Sequence, residues 1–96
     1  MNYSKRTDRN QSEIAAALRD AGYSVEPLSA VGAGIPDLLV GGVDRNSGEV
    51  RTWLMEIKTD RGKLTPRQQE WRAAWRGQYA VVKTVGEALA IVGVRW

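Results

Sequence analysis

The sequence predicts a small α/β protein in which helices flank a sheet, with its elements in the order α-β-β-β-α-β-α. Three observations lead there. Ninety-six residues suffice for one hydrophobic core and no second, so residues 1–96 are read as a single domain. Stretches with apolar residues at helical spacing alternate with short apolar runs of strand length. Two of the helical stretches also begin with Thr followed three residues later by Gln or Glu, the spacing of a capping box.

Asn10 is placed to cap a first helix running to about Ala21, with Ile14, Leu18 and Ala21 on its buried face and Gly22 ending it. "YSVEPL" reads as a short strand that Pro27 pushes toward a sheet edge. "SAVGAG" is a loop of small residues. "IPDLLVGG" and "VRTWLMEIK" are the second and third strands, and the turn residues of "VDRNSGE" make them an antiparallel hairpin. "LTPRQQEWRAAWRG" is the clearest helix: Thr65 as N-cap, Pro66 at the first position, Gln68 at the third, and Gly77 closing it. "YAVVKTV" is a fourth strand with one face too polar for full burial. "TVGEALAIV" is a last helix, with Thr84 and Glu87 at capping-box spacing.

Composition narrows the chemistry. The chain has no Cys and no His, which removes disulfides, thiolate nucleophiles, structural zinc sites and histidine-based catalysis. Any catalysis must then use carboxylates, lysine, hydroxyls or a metal bound through oxygen. No apolar stretch approaches the ~18–20 residues that span a bilayer. The opening "MNYSKRTDRNQSEI" lacks the apolar core of a secretory signal, so the expected compartment is the cytoplasm. The net charge of +3 is unevenly placed. Residues 10–50 carry six acids against two bases, and residues 58–83 carry seven bases against two acids. Such a division suits a protein that grips a polyanion on one side and holds a cation on the other; a solvated helix face gives similar counts.

The most informative stretch is "LMEIK" at 54–58. In a strand, Glu56 and Lys58 stand on one face while Ile57 turns into the core. With the hairpin centred on Asn46 and Ser47, position i faces position 93 minus i, which sets Asp37 opposite Glu56. Facing carboxylates repel unless a cation lies between them. Lys58 neutralises one; a divalent metal neutralises both. A one-residue slip would turn Asp37 to the other face.

"PDLLV" followed across a hairpin by "EIK" resembles the PD-(D/E)xK nuclease signature. Within that superfamily the chain is most similar to the VRR-NUC (virus-type replication-repair nuclease) branch. That branch shows an acid in the first helix, G-x-PD, ExK and L-(S/T)-x-x-Q-x-x-W. Here these are Glu13, "GIPD" from Gly34 to Asp37, "EIK", and "LTPRQQEW" from Leu64 to Trp71. ExK alone is common by chance; four elements in order, from about residue 8 to Gly93, are specific.

The resemblance implies a restriction-endonuclease-like core, a mixed sheet flanked by helices, and hydrolysis of DNA phosphodiesters with Mg²⁺ or Mn²⁺. Such an ion makes its water more acidic and polarises the phosphate. By resemblance, Asp37, Glu56 and the backbone carbonyl of Ile57 are the metal ligands. Lys58 positions the attacking water or stabilises charge at the phosphate. Glu13 is an outer catalytic group or a ligand of a second ion, although its spacing from Asn10 also suits a capping box. Gln68 is a polar group near the phosphate or only a helix cap.

Trp71 is expected in the core, and Trp75 at a subunit interface or against nucleic acid. Arg61, Lys63, Arg67 and Arg72 are the candidate DNA contacts. Standalone proteins resembling this branch are associated with structured DNA, Holliday junctions included, and often with phage genomes and DNA repair. The implied activity is a homodimeric endonuclease for branched DNA. Alternatives are a nuclease for flaps, nicks or single strands, and a DNA-binding module that has kept the fold without catalysis. No membrane or small-molecule cofactor is implied. Two look-alikes fail: "GAGIPD" precedes a strand rather than a helix and lacks a third Gly, and "DRNSGE" does not complete a calcium loop.

Overall fold

A computed structural model describes residues 3–95. Helix α1 (Tyr3–Asp20) is followed by strands β1 (Ser24–Pro27), β2 (Leu38–Val43) and β3 (Val50–Ile57). Helix α2 (Pro66–Ala74), strand β4 (Tyr79–Val82) and helix α3 (Val85–Ile91) complete the chain. The order is the expected α-β-β-β-α-β-α. The four strands form one mixed sheet in the order β1-β2-β3-β4. β1/β2 and β2/β3 are antiparallel, and β3/β4 is parallel. Pro27, which cannot donate to a ladder, ends a strand at the sheet edge as anticipated.

The two faces of the sheet differ. Trp53, Met55 and Ile57 of β3 alternate onto one face, where they meet Leu38 and Val40 of β2 and Ala80 and Val82 of β4. α1 and α3 cover that face with Ile14, Leu18, Ala88 and Leu89, joined by the α3 C-cap Val92, all in the same buried cluster. Burying each large aliphatic side chain of this kind contributes about 1.5–3 kcal/mol, so this layer carries the stability of the domain. The opposite face carries Leu54 and Glu56 of β3, beside Tyr79 and Val81 of β4. α2 lies there and has no buried residue of its own. Among the described residues, no helix is long and apolar enough to cross a membrane.

Three local expectations are corrected. α1 begins at Tyr3, not after Asn10, because "YSKRTDR" contains neither Gly nor Pro to stop the helix earlier. Asn10 is therefore interior to α1 and caps nothing. Gly77 does not close α2, which ends at Ala74 with Trp75 as an extended C-cap. The Trp75 indole stacks on Trp71 at 5.0 Å and donates to the Gln78 carbonyl at 3.1 Å, folding residues 75–78 back on the helix. A Cβ at Gly77 would lie 2.8 Å from the Trp75 ring, so that glycine is needed for packing. Trp71 itself is half-buried against Tyr79 and Trp75, outside the central core.

The capping predictions at Thr65 and Thr84 fare better. Thr65 and Gln68 form the full reciprocal box. Thr84 accepts from the Glu87 N–H at 3.0 Å, while the Glu87 carboxylate turns one residue back, to the Lys83 N–H at 2.8 Å.

The loop between β1 and β2 presses its backbone against the first turn of α2. At Gly34, φ is +80° and a Cβ would fall 2.7 Å from the Arg67 carbonyl oxygen. Only glycine meets both demands. This contact ties the segment leading into Asp37 to the helix that bears Gln68. Gly34→Ala should therefore lower stability by roughly 1–3 kcal/mol, read as a lower urea midpoint at unchanged slope. Gly48→Ala is the control: its φ is +81° but nothing lies near its Cβ position, so the difference between the two variants measures the close approach.

Candidate functional site

The β2/β3 register is the expected one. Leu38 pairs with Met55 and Val43 with Val50, which keeps each pair at a constant sum along the hairpin. One step past the last pair, Asp37 stands across from Glu56. Backbone bonds hold both approaches. The Leu28 N–H donates to the Asp37 carbonyl at 2.7 Å, and the Ile57 N–H donates to Asp37 Oδ2 at 2.8 Å. In a regular ladder that Ile57 amide would face residue 36. Residue 36 is a buried proline, so it has no N–H to return to the Ile57 carbonyl.

Asp37, Glu56, Ile57, Lys58, Thr59, Gly62 and Gln68 line one pocket of about 360 Å³. Glu56 is only 2% exposed. Its Oε2 lies 3.9 Å from Lys58 Nζ, and its Oε1 is buried without a hydrogen-bond partner. Ion pairing with Lys58 thus leaves half of the carboxylate unsatisfied, at a cost that a folded protein normally avoids.

Burial foremost, then the hydrogen bond and charge of Asp37, raise the Glu56 carboxyl from 4.5 to about 8, with Lys58 opposing. Near neutrality, then, Glu56 keeps its proton unless a cation takes the proton's place. The influence reaches β4: burial first and the nearby Glu56 charge second raise the Tyr79 phenol above its ordinary 10.0, against the lowering effect of Arg72. The Arg72 guanidinium sits over that ring at 5.0 Å.

These residues fit a hard divalent cation. They offer two carboxylates, one with an orphaned buried oxygen, and a strand carbonyl whose facing residue lacks a donor. The donor set holds two acids rather than three, because no group of three acidic side chains forms among the described residues. Glu13 is exposed on α1 and does not line the pocket. The alternative of a capping box with Asn10 also lapses, since Asn10 is not a cap.

Gln68 serves as the anticipated cap and also reaches the pocket. Its Oε1 accepts from the Thr65 N–H at 2.9 Å, and its side chain lines the pocket. Arg61, Lys63, Arg67 and Arg72 are exposed, and among the described residues none has an acidic partner within 4 Å.

One residue that sequence reasoning misread belongs beside this site. Asn10 Nδ2 donates to the carbonyl of Lys58 at 3.3 Å and to that of Lys83 at 3.0 Å. Its partners lie 48 and 73 residues away, so nothing local in the sequence signals the contact. No protein-family model, curated protein or solved structure matches the chain.

The Glu56 shift has a definite sign for stability. The native state holds the proton more tightly than the unfolded chain, so this contribution is whole below pH 4.5 and is lost as pH rises toward 8. In chelator, the melting temperature should fall over that interval, each kcal/mol lost counting for roughly 4–8 °C in a domain of this size. Glu56→Gln should flatten the fall and melt higher than the wild type at pH 8. Adding Mn²⁺ at pH 8 should raise the wild-type midpoint and leave that of Glu56→Gln nearly unmoved.

Proposed function

We propose that this protein is a divalent-metal-dependent deoxyribonuclease of the VRR-NUC type, hydrolysing phosphodiester bonds in branched DNA as a homodimer. The observation that carries the reading is the buried, half-satisfied Glu56 carboxylate facing Asp37 with the Lys58 ammonium in the same pocket. A plain ion pair leaves Glu56 Oε1 without a purpose, and a binding module has no use for two acids where phosphate must approach.

Asp37, Glu56 and the Ile57 carbonyl would hold Mg²⁺ or Mn²⁺. When bound, such an ion supplies Lewis acidity toward the phosphoryl group and a more acidic water. The chain supplies the rest. Lys58, drawn toward Glu56 and only partly exposed, offers a fixed positive charge where the phosphate gains negative charge. Gln68 spends its carbonyl oxygen on the helix cap, which frees its amide hydrogens to donate to a phosphate oxygen or to the attacking water. Arg61 and Lys63 follow Lys58 in the loop, and Arg67 and Arg72 continue the positive charge along α2, giving the backbone of the nucleic acid a track toward the pocket. One pocket cuts one strand, so paired cuts in a junction call for a second copy of the chain.

The test is cleavage of labelled four-way, flapped, nicked, single-stranded and linear DNAs with Mn²⁺ or Mg²⁺, with and without chelator. Wild type should cut only with metal and favour branched substrates. Lys58→Ala should slow cutting by at least ~100-fold while binding the same DNA in chelator as well as wild type. Binding without cutting on every substrate would reduce the protein to a DNA-binding module. Removing the charges of Arg61 and Lys63 together should make the slope of log affinity against log salt shallower by about 2.

A further inference from the structure

We infer that Asn10 is a positioning residue for Lys58: from α1 it fixes the peptide that follows Lys58 and thereby the direction of the ammonium in the pocket. The inference rests on the nuclease reading, in which Lys58 acts at the phosphate.

Lys58 is the first residue beyond the end of β3. Its N–H still bonds across the sheet, to the Val82 carbonyl at 3.0 Å. Its carbonyl lies past the last paired residues, Ile57 and Val82, and Asn10 takes it over. The two amide hydrogens of Asn10 are matched by two carbonyls, those of Lys58 and Lys83. Carbonyl oxygens only accept, so the amide nitrogen must be the atom that faces them. One side chain thus clamps the ends of both parallel strands at the point where strand pairing stops.

The same brace extends into the loop that lines the pocket. Lys83 Nζ donates to the Asp60 carbonyl at 3.3 Å, and the Gly62 N–H closes a turn onto the Thr59 carbonyl at 2.9 Å. Lys58, Thr59 and Gly62 all line the pocket, so the segment held by Asn10 and Lys83 is the pocket's own wall. Asn10 is half-buried and lies outside the hydrophobic cluster of α1. Its carbonyl partners can turn to water when the amide is lost, so the fold tolerates its removal better than the geometry does. A misplacement of about 1 Å at a reacting group is enough to cost ~100-fold in rate.

The test compares Asn10→Ala and Asn10→Asp with wild type under Mn²⁺, on the DNA that wild type cuts best. Asn10→Asp keeps the shape but sets oxygen against both carbonyls. Both variants should lower kcat by roughly 10- to 100-fold, Asn10→Asp more than Asn10→Ala, with KM and DNA affinity in chelator close to wild type. Wild-type kcat in either variant overturns the inference. So does a loss of affinity and rate together with a collapsed melting temperature, which marks a structural role only.

A measurement on wild type covers the case of a variant that does not fold. The Asn10 side-chain amide protons should be protected from solvent exchange and show NOEs to the Thr59 and Thr84 amides. Unprotected protons overturn the inference. If wild type cuts no DNA at all, the nuclease reading falls and takes this inference with it. If wild type cuts and the variants cut equally, only this inference falls.

Discussion

The pairing of β2 with β3 in one register, Leu38 against Met55, is the constraint from which both the core and the pocket follow. A strand repeats every two residues, so a slip of one position would turn Trp53, Met55 and Ile57 away from α1 and α3 and bring Leu54 and Glu56 into the apolar layer. The apolar face therefore enforces the register, at several kcal/mol for the set. That same register sets Asp37 against Glu56 on the opposite face. The repulsion between them is carried by core packing a few ångströms away. The hydrophobic layer has no interest in the acids, yet it holds them where neither would settle alone.

The division of labour between the faces follows. α1 and α3 contribute buried aliphatic residues to a single cluster, whereas α2 is held by a cap, a glycine contact and aromatic edges. The pocket forms between the sheet and this lightly buried helix, on the side away from the main core. A layer with little buried area of its own can present polar groups and charge to a ligand without disturbing the part that keeps the domain folded.

What was legible in the sequence is what local spacing encodes. The hairpin register could be counted from the turn residues because no bulge interrupts the ladder. The Thr65–Gln68 box and the edge strand at Pro27 are likewise short-range chemistry. The start of α1 is misleading in the sequence because Asn10 has the residue type of a cap, and only the absence of a breaker upstream argues otherwise. Gly77 reads as a helix stop because packing beneath an indole and a left-handed turn both select glycine. The size of Trp71 points to the core, but the face it covers is not the core face. The Asn10 contacts with Lys58 and Lys83 were beyond reach, since they depend on how the far ends of two strands meet a helix.

The pocket's charge explains why α1 offers an amide rather than a third acid. With Asp37 and Glu56 ionised and Lys58 protonated, the pocket carries one net negative charge, which repels phosphate. A proton on Glu56 neutralises it; a divalent cation reverses it. A third carboxylate at the ends of β3 and β4 would cancel much of that reversal and would also face the carbonyls of Lys58 and Lys83, which have nothing to donate. An asparagine there adds no charge and supplies the two donors those carbonyls lack. The exposed Glu13, one turn further along α1, keeps its charge in water and out of this balance. For the proposed chemistry the site then needs only two acids, because the shortage of negative charge left by a divalent ion is what the phosphate itself would fill.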